Sequence, residues 1–248
     1  MVRVIIITFA TGDQMDPTVF LVGFAIMSVS SLALYAKGSK QPEIRHHTYF
    51  HAVVPFIAAT AYLAMWFGVG DITTPDGVTT LSARYVDWTI TTPILLTGLV
   101  TLGLHERDRS AGFIVSTIML DGLMIVTGLI SALSTTSGAK LAWFLWSCAA
   151  FAGVLYNLWV PIRSINTAES GPMASAYTKN LTFLSVIWFL YPIVFAIGPE
   201  GLKSITALAS AWAILVLDVV AKVIYAFSSA SNIEKAEQEK AGTVRSAR

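Results

Sequence analysis

Charge is what this chain of 248 residues has least of. Asp, Glu, Lys and Arg make up 12% of it, against about 25% in an ordinary soluble domain. A deficit of that size excludes a disordered chain, a nucleic-acid binder and an ordinary cytosolic enzyme. The net charge of +1 offers no footprint for a polyanionic partner. One cysteine, Cys148, excludes an internal disulfide. The histidines and this cysteine form no cluster with zinc spacing, so no metal site is expected. No internal repeat is present. What the chain has instead is apolar bulk: 55% of its residues are hydrophobic. The composition therefore points to an integral membrane protein.

A helix needs about 20 mostly apolar residues to cross a hydrocarbon core of about 30 Å. Seven segments qualify: Thr18–Ala36, Thr48–Gly68, Leu81–Leu104, Gly112–Leu133, Leu141–Val160, Ser175–Ile197 and Ser204–Ala226. Their breaks are polar or turn-rich, as in Gly198-Pro199-Glu200-Gly201. None shows the polar–apolar alternation of a barrel strand, so the expected fold is an all-α bundle of seven transmembrane helices. Residues 1–15 read as an extracellular segment, with the run Val4–Ile7 too short to span, as a leader remnant or a cap. Residues 16–229 read as the bundle, and 230–248 as a solvated cytoplasmic tail.

Basic residues set the orientation. With the C-terminus inside, the inner segments hold Lys37, Lys40, Arg45, Arg107, Arg109, Arg163, Lys179, Lys235, Lys240, Arg245 and Arg248. The outer ones hold only Arg3, Lys140 and Lys203, which places the N-terminus outside. The expected surroundings are the lipid bilayer of the cell membrane, with no nucleic-acid partner.

Setting aside Lys179, counted with the inner side at the end of the sixth span, five charges remain within the spans: Arg84, Asp87, Asp121, Asp218 and Lys222. A membrane-embedded ionisable group is expensive and marks a functional or paired site. Asp218 and Lys222 are four apart on the seventh helix, and Arg84 and Asp87 three apart on the third, so each pair shares a face. The charges alone fit either a structural ion-pair cluster or a buried cation held by two carboxylates with an arginine outward of it.

The stretches Arg84-Tyr85-Val86-Asp87-Trp88-Thr89-Ile90-Thr91-Thr92-Pro93 and Leu217-Asp218-Val219-Val220-Ala221-Lys222 resemble those of microbial (type 1) rhodopsins, the bacteriorhodopsin-like retinal proteins. The resemblance covers all seven helices. It implies all-trans-retinal bound covalently to Lys222 as a protonated Schiff base, with Asp87 and Asp218 as counterions beside Arg84. It further implies a retinal pocket of Tyr62, Tyr85, Trp88, Thr92, Leu95, Met124, Gly128, Trp146, Trp188, Tyr191, Pro192 and Phe195, with Tyr62 also bonded to the seventh-helix aspartate. Leu95 implies green absorption. Trp146 stands where a small residue would admit a carotenoid antenna, so no antenna is expected. Asp121 resembles a buried, protonated aspartate of structural role.

Asp87, Thr91 and Gly98 share one helix face, over about 16 Å of rise from first to last. The resemblance implies that Asp87 is the proton acceptor of an outward pump. Chloride pumps carry a neutral residue there, and sodium pumps show Asn-Asp-Gln across the three positions. Gly98 departs from the carboxylic donor of many pumps, which places the chain in the DTG subgroup and keeps a sensory rhodopsin with a membrane transducer open as the alternative. A light-gated channel is disfavoured by the lack of extra acids along the second helix. His51, four residues before Pro55, falls opposite Gly98 and is the candidate cytoplasmic proton donor, against the alternative of an interfacial histidine like His46 and His47. Glu200 is the proton-release candidate, with Ser210 at its partner's position. Such proteins assemble as trimers or pentamers, so a homo-oligomer is expected.

Overall fold

The computed structural model describes residues 16–40, 45–104, 110–168 and 171–246. The N-terminal 1–15, with Arg3 and Val4–Ile7, lies outside them, as do Arg107, Arg109 and Arg248. Seven helices are long and apolar enough to cross a membrane. They are α1 (Thr18–Lys40), α2 (Arg45–Trp66), α3 (Ser82–Leu104), α4 (Ser110–Leu133), α5 (Ser137–Ala168), α6 (Pro172–Ile197) and α7, which runs from Ala207 to Ser246. Successive helices pack side by side, α7 returns against α1, and α3 also touches α6. The third helix thus runs through the middle of the bundle and carries the charges inward.

Local chemistry sets the helix starts. Thr136 and Thr206 cap α5 and α7, their hydroxyls accepting the free N–H of Ala139 and Ala209. Pro172 sits in the first turn of α6, where its missing N–H costs nothing. Within α5, Pro161 cannot donate, and Leu158–Ile162 widen to a π turn. The Leu158 carbonyl then accepts both the Arg163 N–H and the Tyr177 hydroxyl of α6, the latter at 2.6 Å. A second π turn, Val219–Ile224, interrupts α7 and contains Lys222.

Two expected boundaries shift. The segment after α2 is an antiparallel hairpin, β1 (Asp71–Thr73) on β2 (Thr79–Leu81), with Asp71 paired to Leu81. At the other end, the chain continues as helix beyond Ala226 instead of leaving as a solvated tail. Ala230, Ile233 and Ala236 are buried there at a three-residue spacing, which keeps one face on the bundle.

The core lies between α3, α5, α6 and α7, around Leu95, Leu99, Leu158, Leu181, Leu184 and Trp188. A second cluster joins α1, α2 and α7 through Met27, Ala58, Tyr62 and Leu215. Gly23 of α1 lets the Tyr62 ring lie directly across it, because a side chain at 23 would strike that ring. Large apolar side chains such as Leu32 and Met119 face outward, as lipid-facing residues do.

Candidate functional site

The five charges that the spans retain fall at two places. Lys222, on the π turn of α7, contacts Asp87 Oδ2 of α3 and lies 3.3 Å from Asp218 Oδ1, one turn back on its own helix. Lys222 and Asp87 are 2% exposed and Asp218 1%. Buried charge persists only when paired and hydrogen-bonded. Here one ammonium faces two carboxylates, and Arg84, also buried on α3, brings the formal charge of the cluster to zero.

The two carboxylates differ in what holds them. Tyr62 of α2 donates to Asp218 Oδ2, and Tyr191 of α6 to Asp218 Oδ1, each at 2.8 Å. Both Asp218 oxygens are therefore engaged by phenols anchored on other helices. Asp87 Oδ1 is buried without a protein partner, as are Arg84 Nε and Trp88 Nε1 on the same helix. Two donated hydrogen bonds favour the ionised form of Asp218, whereas Asp87 Oδ1 receives none. Thr91 Oγ1, one turn along, donates to the Asp87 backbone carbonyl at 2.8 Å.

An apolar cavity opens from Lys222 between α3, α4, α5, α6 and α7. Of the residues expected there, Tyr85, Trp88, Thr92, Leu95, Met124, Gly128, Trp188, Tyr191, Pro192 and Phe195 line it. The Trp88 ring meets Tyr191 edge-on at 5.4 Å and Tyr85 at 5.3 Å. Lys222 is the one amine in its wall. A cavity walled by rings and aliphatic side chains, with an amine and orphaned polar atoms together at Lys222, Asp87, Arg84 and Trp88, fits an apolar carbonyl compound attached to that amine.

Two expected pocket residues do not line the cavity: Tyr62, which bonds to Asp218 instead, and Trp146. Trp146 is 57% exposed and faces away from the bundle. The inward face of α5 is instead Phe144, Ser147, Cys148 and Phe151. Phe144 stacks on Phe195 at 5.3 Å with 5° between the planes. The spacing of Phe144, Ser147, Cys148 and Phe151, at i, i+3, i+4 and i+7, was the available signal. Two residues along a helix is a turn of about 200°, so Phe144 and Trp146 point to opposite sides. The argument against an antenna, which rested on Trp146, falls with this placement.

Asp121 of α4 lies apart from the cluster. Thr92 Oγ1 sits 2.6 Å from Asp121 Oδ2 and 2.7 Å from the Trp88 carbonyl. One hydroxyl proton cannot serve both acceptors. The arrangement is satisfied when a protonated Asp121 donates to Thr92 and Thr92 donates to the carbonyl. That bridge ties α4 to α3.

At the hairpin end of the bundle, the chain after α6 folds back, with Leu202 N–H on the Ala196 carbonyl and Ser204 N–H on that of Ile197. This turn buries Glu200, which lines the same cavity as Arg84 and Ser210. At the opposite end, His51 is buried, 3% exposed. A β-carbon at Gly98 would lie a tight 3.2 Å from Phe50 Cε1 and in ordinary contact, 3.8 Å, with His51 Cε1, so the glycine makes room for the Phe50 ring and stands beside His51. His51 Nδ1 has no partner, and Nε2 lies 3.5 Å from Ser229 Oγ. His51 is thus packed inside the bundle.

The comparisons agree with this geometry. The family model described as bacteriorhodopsin-like protein matches residues 14–233. Archaerhodopsin-2 of Halobacterium sp. (strain aus-2) is 36% identical over 223 residues, 87% of this chain and 85% of that protein. The light-driven proton pump of Coccomyxa subellipsoidea superposes with a TM-score of 0.79 at 32% identity, covering 88% of this chain and 98% of that one. Halorhodopsin, described as a light-driven chloride pump, superposes with a TM-score of 0.80 at 28% identity over 90% and 96% of the two chains. With the family model spanning all seven helices, this multi-pass plasma-membrane chain belongs to the bacteriorhodopsin-like family, and with it to the microbial rhodopsins that carry a retinal chromophore.

Proposed function

We propose that the protein is a light-driven outward proton pump, green-absorbing, with all-trans-retinal joined to Lys222 Nζ. The supporting observation is the contact between Lys222 and Asp87, whose second oxygen is free to keep a proton. The backbone resembles proton and chloride pumps equally well, so the residue facing the lysine carries the distinction. An aspartate there leaves no place for a halide beside the nitrogen, because two anions would compete for one cation.

The orientation follows the basic residues, with residues 1–15 outside, 16–229 forming the bundle, and 230–248 inside. Retinal on Lys222 would supply photon absorption and an isomerisation that changes the direction and proton affinity of the nitrogen. The chain's own groups do the rest. Asp87 accepts the proton from the Lys222 nitrogen, while Asp218 stays engaged by Tyr62 and Tyr191. Once Asp87 is neutral, Arg84 loses an attractive partner, and its pull toward Glu200 favours release to the outside. His51, beside Gly98, returns a proton from the inner half. Leu95, buried in the cavity wall, supports the green assignment.

Illumination of retinal-loaded cells in unbuffered medium tests the reading. Acidification abolished by an uncoupler is expected; an unchanged pH would favour the sensory alternative, to which the absence of a carboxylate at Gly98 lends itself. His51→Ala is expected to slow absorbance recovery after a flash, with added azide restoring the rate. Recovery at the unaltered rate would remove His51 from the path.

A further inference from the structure

His51 is the end of a buried polar chain that none of the roles above explains. Asn232 Nδ2 of α7 donates to Asn180 Oδ1 of α6 at 2.7 Å. Asn180 Nδ2 donates to Ser229 Oγ of α7 at 2.9 Å. Ser229 Oγ lies 3.5 Å from His51 Nε2 on α2. Asn180 and Ser229 are 1% exposed, while Asn232 is half-buried, one turn further along α7. The chain therefore starts at the rim of the inner half and ends at the imidazole.

The order of donors carries information. The Asn180 amide lies with its oxygen toward Asn232 and its NH2 toward Ser229. Ser229 Oγ accepts from Asn180 and is also hydrogen-bonded to the Tyr225 phenol; with the phenol donating as well, both Ser229 lone pairs are used and its own proton is left to point at His51 Nε2. A neutral imidazole that accepts at Nε2 carries its proton at Nδ1, the atom with no partner. Amide groups do not release protons near neutral pH, so Asn180 and Asn232 orient the histidine and do not relay to it. Three helices meet in this chain, so the orientation is rigidly held.

The geometry points to Asn180 as a positioning residue that, through Ser229, holds neutral His51 in its Nδ1–H tautomer. This deepens the reading of His51 as inner proton donor and, for its effect on turnover, rests on that reading. The first measurement is 15N NMR of histidine-labelled, retinal-loaded protein in lipid in the dark, with His51 signals assigned by their loss in His51→Ala. An unprotonated Nε2 and a protonated Nδ1 are expected. Asn180→Asp keeps shape and packing but replaces the donor with an acceptor. The Ser229 proton then turns to the introduced carboxylate and Ser229 Oγ accepts from His51, so the tautomer is expected to reverse to Nε2–H. Asn180→Leu removes both hydrogen bonds and is expected to give a mixture.

The second measurement is recovery after a flash. Asn180→Asp is expected to slow it several-fold in the His51 protein and to change nothing in the His51→Ala background. An unchanged tautomer in both Asn180 variants overturns the proposal, as does equal slowing in the two backgrounds, which a merely structural brace would give. If His51→Ala recovers at the unaltered rate while the tautomer still reverses, the donor reading fails and the positioning stands.

Discussion

A single buried oxygen distinguishes the two aspartates that flank Lys222. Asp218 has both oxygens bonded to tyrosines, and Asp87 has one bonded to nothing. Tyr191→Phe would leave Asp218 Oδ1 with the ammonium as its one remaining partner. Losing one partner of a buried polar group costs about 1–3 kcal/mol, so the thermal bleaching midpoint is expected to fall without loss of pumping. Asp87→Asn instead removes the acceptor and the negative charge nearest the nitrogen. Flash-induced proton release is expected to vanish, and the absorption maximum to move to longer wavelength, read in one sample by an indicator dye and a spectrum. Lys222, Asp87 and Asp218 were legible in the sequence because charges within spans are so few. Their unequal partnership was not, since the tyrosines that create it come from α2 and α6.

At the scale of elements, the informative features are the places where helices depart from uniform hydropathy. The α5 helix is apolar on nearly every side, so its phase rests on the faint spacing of Phe144, Ser147, Cys148 and Phe151, and one aromatic is easily taken for another. Packing decided for Phe144 over Trp146, through the stack on Phe195 and the bond from Ser147 Oγ to the Met124 carbonyl at 2.8 Å. The extension of α7 was masked differently: Glu, Lys and Gln after Ala226 hide a three-residue spacing of buried side chains. Ile233→Ala is expected to cost about 2 kcal/mol or more, checked by denaturation in detergent, where a solvated tail would show no change.

The hairpin between α2 and α3 makes a second element-scale prediction. Asp76 at its turn lies 3.9 Å from Lys140 of α5 and 3.7 Å from Lys203 in the turn before α7. The Thr74 hydroxyl, donating at 2.5 Å, holds the Asp76 carboxyl below its usual range, and the two lysines add to that. A carboxyl whose pKa is lowered by folding stabilises the fold above its ordinary value and loses that contribution as pH falls through the lowered one. Asp76→Asn is therefore expected to lower the bleaching midpoint slightly at neutral pH. The difference should persist to about pH 4, vanish only below it, and shrink with added salt. Equal midpoints at all pH values would assign the clamp no weight.

Seen as a whole, the molecule is a lipid-facing shell around a short polar axis that passes Glu200, Arg84, Asp87, Lys222, Gly98 and His51. Its number of helices and their approximate limits were readable from hydropathy, because each span must satisfy its own backbone in lipid. The inner half of the axis was readable only in outline: Gly98 announced a gap, and His51 stood opposite. The polar chain behind His51 joins residues as far apart as 51 and 232, and no local pattern announces it.

Whole-cell recording from cells that express the retinal-loaded protein tests the central claim most directly. Outward proton pumping requires an outward photocurrent that stays level throughout continuous green light, keeps its size when chloride is replaced, and disappears in Asp87→Asn. A current that decays to zero under steady light, or that scales with chloride, would contradict it.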